Sequence, residues 1–82
     1  MKFHVEITEY AFSGYQVRTC VSVDIEAGTA KEAMQEVLDH YITDPAPNVI
    51  AEVKECTETH FAGFAGKWDN NQFSYDVFPC EE

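Results

Sequence analysis

Positive charge is scarce in this chain: five Lys and Arg stand against fifteen Asp and Glu, a formal charge of −10 over 82 residues. Such a surface repels nucleic acid and anionic membrane, and it attracts basic protein surfaces and speeds encounter with them. Long apolar runs are missing too. None approaches the roughly 20 residues that a bilayer-spanning helix requires. Residues 1–6 alternate polar and apolar where a secretory signal would carry an apolar middle. A cytoplasmic protein, used as translated, is the expectation. Cysteines are few and odd in number: Cys20, Cys56 and Cys80 form no CxxC pair. A secreted disulfide framework would show an even set, so reduced thiols are expected.

Catalytic signatures are also lacking. The chain has no GxGxxG, P-loop, nucleophile elbow or HExxH. One domain of this size leaves little room for a deep pocket. Neither catalysis nor a cofactor is expected.

What is present is the composition of a folded protein, with 45% hydrophobic and 13% aromatic residues. A chain this long buries roughly 60–65% of its unfolded surface, enough for one core. Phe3, Val5 and Ile7 alternate with His4, Glu6 and Thr8, the period of a half-buried strand. After a Ser13-Gly14 turn, Tyr15, Val17, Thr19, Val21, Val23 and Ile25 resume that rhythm. The pattern predicts a hairpin of strands over 2–12 and 15–27.

Gly28 breaks the second strand. Thr29 with Glu32 three residues on is a capping box. Ala30, Ala33, Met34, Val37, Leu38 and Tyr41 make one stripe at the helical period. This predicts a helix over 30–42, stopped by Asp44-Pro45-Ala46-Pro47. Residues 48–61, rich in Val, Ile and Thr, read as a third strand with a bulge. Residues 61–68 read as an aromatic loop, Asp69-Asn70-Asn71 as a turn, and 72–79 as a fourth strand. The expected fold is α+β, a single ββαββ domain over residues 1–82: a mostly antiparallel four-stranded sheet with one helix on one face. Because antiparallel pairs predominate, the expected strand order is 2-1-3-4.

The strand pattern leaves one sheet face polar. His4, Glu6, Arg18, Cys20, Asp24 and Glu26 fall on it, joined by Glu52, Cys56, Glu58, His60, Asp76 and Cys80 if parity holds. Zinc favours four clustered ligands, often at short paired spacings. Only Cys56 and His60 are close in sequence, and on a strand i and i+4 stand roughly 13 Å apart. No metal site is expected. The candidates are instead partner-binding carboxylates: Glu32, Glu36 and Asp39 in a line on the helix, with Asp24 and Glu26 roughly 6.6 Å apart along the second strand. Spaced carboxylates on a rigid element can occupy a basic groove built for phosphates. Trp68, beside Phe61 and Phe64 in the glycine-interrupted loop, is the candidate apolar anchor.

Lys2-Phe3-His4-Val5-Glu6-Ile7-Thr8-Glu9, with Val23-Asp24-Ile25-Glu26-Ala27 before the Thr29 helix, resembles a broad class of phage and mobile-element ββα proteins. In length, charge, expected fold and lack of catalytic motifs, the whole chain resembles the small acidic anti-CRISPR inhibitors of bacteriophages. That resemblance implies a non-enzymatic, stoichiometric inhibitor that blocks the basic nucleic-acid channel of a CRISPR effector complex in the host cytoplasm. The alternative is a small cytosolic interaction domain without a defence role, a homodimer pairing exposed strand edges.

Overall fold

In the computed structural model, residues 1–41, 46–47, 49–66 and 71–80 are described. The alternating segments form β1 (Lys2–Tyr10) and β2 (Gln16–Glu26), followed by α1 (Ala30–His40), β3 (Glu52–Cys56), β4 (Phe61–Gly66) and β5 (Gln72–Pro79). All five strands join one sheet in the order β2-β1-β5-β4-β3, and every neighbouring pair is antiparallel.

This corrects the expected four-stranded ββαββ sheet in two respects. The segment 48–61, read as one long strand, holds only β3 and the turn after it, and an unexpected strand, β4, follows in the segment read as a loop, so the element order is ββαβββ. The strand beside β1 is β5, so the expected order 2-1-3-4 does not form. The β3–β4 hairpin is closed without glycine or proline. Thr57 N–H donates to the His60 carbonyl at 2.8 Å, and the Thr57 hydroxyl accepts from His60 N–H at 3.0 Å. One threonine side chain thus performs the turn chemistry that periodicity alone does not reveal.

The supposed aromatic loop is largely β4. Phe61, Gly63 and Ala65 face the core and Ala62 and Phe64 face away, a strict period of two. Gly63 belongs in this strand because of its neighbour: a Cβ there would lie 2.7 Å from Ile50 Cγ2 and 2.9 Å from the Glu52 carbonyl oxygen. Trp68 lies outside the described residues, as do the predicted end of the helix at residue 42 and Pro45.

One face of the sheet carries the core. Phe3, Val5, Ile7, Tyr75 and Val77 are almost wholly buried, with Phe73, Phe61, Val21 and Ile25 around them. Against them α1 packs Ala30, Ala33, Met34 and Val37. Its N-terminus is fixed twice: Thr29 Oγ1 accepts from Glu32 N–H at 3.2 Å, and Ala30 N–H donates to Glu58 in the β3–β4 turn at 2.8 Å. Among the described residues, no helix lies on the opposite face.

Three bulges interrupt the alternation, at Cys20 and Val17 in β2 and at Lys54 in β3, and those at Cys20 and Lys54 alter which residues share the polar face. Ile7 pairs with Val21 but Thr8 with Thr19, which leaves Cys20 as the extra residue of β2. Beyond it, Arg18 stands opposite Glu9 on the helix side, and Cys20 packs against the core. The expected placement of Arg18 and Cys20 beside His4 is therefore corrected. In β3, Lys54 is the extra residue between Val53↔Gly63 and Glu55↔Ala62, so Cys56 pairs with buried Phe61 rather than joining the polar face. Of the three cysteines expected there, only Cys80 reaches it.

Candidate functional site

Registers across the sheet define the uncovered face row by row. One row runs Ser22, Glu6, Asp76, Ala62 and Glu55 from β2 to β3. The next runs Thr19, Thr8, Ser74, Phe64 and Glu52. On the other side lie Asp24, His4 and Phe78, then Glu26 and Lys2. Directly opposed residues on neighbouring antiparallel strands stand about 5 Å apart at Cα. Glu6 and Asp76 are such a pair, two carboxylates side by side on inner strands. Like charges directly opposite one another cost stability, and this sheet carries that cost near its middle.

Among the described residues, the face thus presents Glu6, Asp24, Glu26, Glu52, Glu55 and Asp76. Several are held in place. Ser74 Oγ donates to Asp76 Oδ2 at 3.0 Å, and the N-terminal ammonium bonds Glu26 Oε1 at 3.1 Å. Lys54 extends over the Phe64 ring, its Nζ 5.1 Å from the centroid. The small Ala62 leaves a shallow floor between Asp76 and Glu55.

His4 anchors one end. Its Nδ1 lies 2.9 Å from Asp24 Oδ1, its Nε2 lies 3.2 Å from Ser22 Oγ, and its ring packs 5.1 Å from that of Phe78. Cys80 donates its thiol proton to the same Asp24 oxygen at 3.3 Å. The hydrogen bonds from His4 and then Cys80 hold the Asp24 carboxyl below its usual pKa. The order of contacts differs from a nucleophilic triad. There an imidazole stands between thiol and carboxylate and removes the thiol proton; here the carboxylate stands between thiol and imidazole.

The sequence-predicted carboxylates do not form one patch. Asp24 and Glu26 belong to the uncovered face, whereas Glu32, Glu36 and Asp39 are exposed on α1, across the sheet from it. The structure adds Glu6, Glu52, Glu55 and Asp76. Alternation in sequence places Glu6, Glu52 and Asp76 on the polar face, Glu55 reaches it only through the bulge at Lys54, and only the register shows that Glu6, Asp76 and Glu55 fall in one row. A groove of about 330 Å³ lies on the helix side, its apolar lining Met34, Leu38, Val49, Ile50, Val53 and Phe61.

Comparison with protein-family models, with curated proteins and with solved structures gives no match. Among the described residues, no helix is long and apolar enough to cross a membrane.

Proposed function

We infer that the protein acts by binding. Its uncovered sheet face docks on a basic surface of another macromolecule, without catalysis and in one-to-one proportion. The observation that carries this reading is the Glu6–Asp76 pair, with Glu55 in the same row. Like charges opposed across an inner ladder oppose folding, and local conflicts with stability concentrate where a protein functions. A cationic partner would convert that repulsion into attraction. A rigid sheet also holds the carboxylates at fixed spacing, as a phosphate-binding groove requires.

The partner class follows from the acidic balance together with the resemblance to anti-CRISPR inhibitors. It is the basic nucleic-acid channel of a CRISPR effector complex, from which the bound protein excludes target DNA. Co-purification with effector complexes, followed by a DNA-binding assay on the retained complex, tests this. Retention with loss of DNA binding supports channel blocking. Retention with DNA binding intact keeps the partner and rejects the mechanism, and no retention by any effector removes the partner class.

One observation favours the alternative, an interaction domain that pairs with its own copy and has no defence role. Phe12, Tyr15 and Val17 are exposed together at the β1–β2 hairpin end, beside the outer edge of β2. The opposite edge, β3, carries Glu52, Lys54, Glu55 and a bulge, features that discourage strand addition. A dimer by light scattering that Tyr15→Glu dissociates would favour this alternative.

A further inference from the structure

The geometry points to a zinc-class metal site at the His4 end of the uncovered face, formed by His4 Nδ1, Asp24 Oδ1 and Cys80 Sγ. One ligand atom from each of the three residues lies within 4.8 Å of the others, and the residues come from β1, β2 and the position just after β5. Ligands on a tetrahedral ion of this class, each roughly 2.0–2.3 Å from the metal, stand about 3–4 Å apart. The 2.9 Å and 3.3 Å contacts to Asp24 are already near that spacing.

The scaffold holds the three donors in place before any ion arrives. His4 and Asp24 are direct cross-strand partners, and Cys80 follows the His4 partner Phe78 by two residues, on the same side of the strand. Cys80 N–H donates to the Lys2 carbonyl at 2.9 Å, so the backbone on both sides of the site is tied together. The imidazole is oriented from behind by Ser22 Oγ at 3.2 Å and Glu6 Oε2 at 3.9 Å from Nε2. In the metal-free protein Nδ1 carries the hydrogen donated to Asp24. On binding, the imidazole takes the tautomer with hydrogen on Nε2, donated to Ser22, and the freed Nδ1 lone pair turns to the ion. A hydroxyl or carboxylate behind a ligating histidine is the usual second contact of such sites.

The donor set selects the metal. One thiolate, one imidazole and one carboxylate suit zinc or cobalt, whereas calcium and magnesium take oxygen ligands. Binding replaces the thiol proton with a sulfur–metal bond and releases that proton to solvent. Three protein ligands leave a fourth position for water or a partner's donor. Because its ligands join β2, β1 and the end of β5, the ion would fasten that end of the sheet. None of this depends on the partner proposed above.

The test uses the intact, reduced chain with cobalt(II) as probe and zinc(II) as competitor. The expected result is saturation at one cobalt per chain, with a thiolate-to-cobalt charge-transfer band and tetrahedral ligand-field absorption, both erased by zinc. Cys80→Ser should remove the charge-transfer band, while His4→Gln and Asp24→Asn should each weaken binding about ten-fold or more. The double variant Cys20→Ser/Cys56→Ser should retain the full spectrum. Circular dichroism of each metal-free variant identifies any that fails to fold, and His4→Gln serves as the second probe should Cys80→Ser do so. Absence of the charge-transfer band in the native chain would overturn the proposal. So would its survival in Cys80→Ser, or displacement of cobalt by calcium, which would mark diffuse binding to surface carboxylates.

Discussion

Asn71 Nδ2 donates to Glu9 Oε2 at 2.7 Å, while Arg18 Nε donates to the other carboxylate oxygen at 3.0 Å. Glu9 is 7% exposed on the helix-side face, so its charge is satisfied from both sides rather than by water. The Asn71 hydrogen bond, and after it the hydrogen bond and charge of Arg18, hold the carboxyl below its usual pKa against the opposing effect of burial.

A depressed carboxyl pKa contributes stability above the unfolded value, about 4.3, and loses it as pH falls through the folded value. Acidification also relieves repulsion among the other carboxylates, so the informative quantity is a difference. Glu9→Gln should unfold at lower urea than the native chain at neutral pH, and the gap should close as pH drops below about 4. A gap independent of pH would remove the ionised Glu9 from this account.

Gly63→Ala should destabilise the fold by about 1–3 kcal/mol, because the new methyl meets Ile50 and a strand carbonyl. Thermal melts measure this. In the Ile50→Ala background the penalty should shrink, since one of the two obstructions is gone.

Tyr75 is fully buried and its hydroxyl donates to the Pro47 carbonyl at 2.7 Å. Burial pushes its pKa from 10.0 up to about 12. A raised phenol pKa means that the unfolded chain ionises first. The stabilising contribution is whole below about pH 10 and is lost as pH rises through the folded value. Between about pH 8 and about pH 11 the denaturant midpoint of the native chain should therefore fall more than that of Tyr75→Phe. At neutral pH that variant should lose about 1 kcal/mol with its hydrogen bond.

Replacing Glu6, Glu55 and Asp76 together with Gln should raise the melting temperature, because opposed charges are removed, while abolishing retention by a basic partner. Replacing Glu32, Glu36 and Asp39 with Gln should leave retention intact. Retention should also fall steeply as salt is added. The opposite ranking of the two variants would assign binding to α1.

Much of the architecture is legible in sequence where periodicity and punctuation agree. The Phe3-Val5-Ile7 alternation, the Ser13-Gly14 turn, the Thr29–Glu32 cap and the Ala30-to-Leu38 stripe all fall in the elements they predict. Legibility fails where tertiary contact replaces local chemistry. The turn at residues 57–60 is closed by a threonine that reads as strand, and Gly63 looks like a breaker until Ile50 is placed over it. A bulge at Cys20 moves Arg18 to the other face, a one-residue slip that alternation cannot detect. The His4–Asp24–Cys80 cluster is invisible in the same way, because it depends on β5 lying beside β1, a pairing distant in sequence.

That position of β5 governs how the sheet can be assembled. Take β5 away and the hairpins β1–β2 and β3–β4 share no ladder, and only α1, packed on β1, β2 and β4, still links them. During synthesis the inner edges of β1 and β4 stay open until residues 72–79 have left the ribosome, and either edge can capture a foreign strand meanwhile. Closure then joins the two most distant strands of the chain, the slow kind of contact. Completion of the sheet therefore waits on β5, and truncation ahead of it should leave the edges of β1 and β4 open rather than yield a smaller sheet.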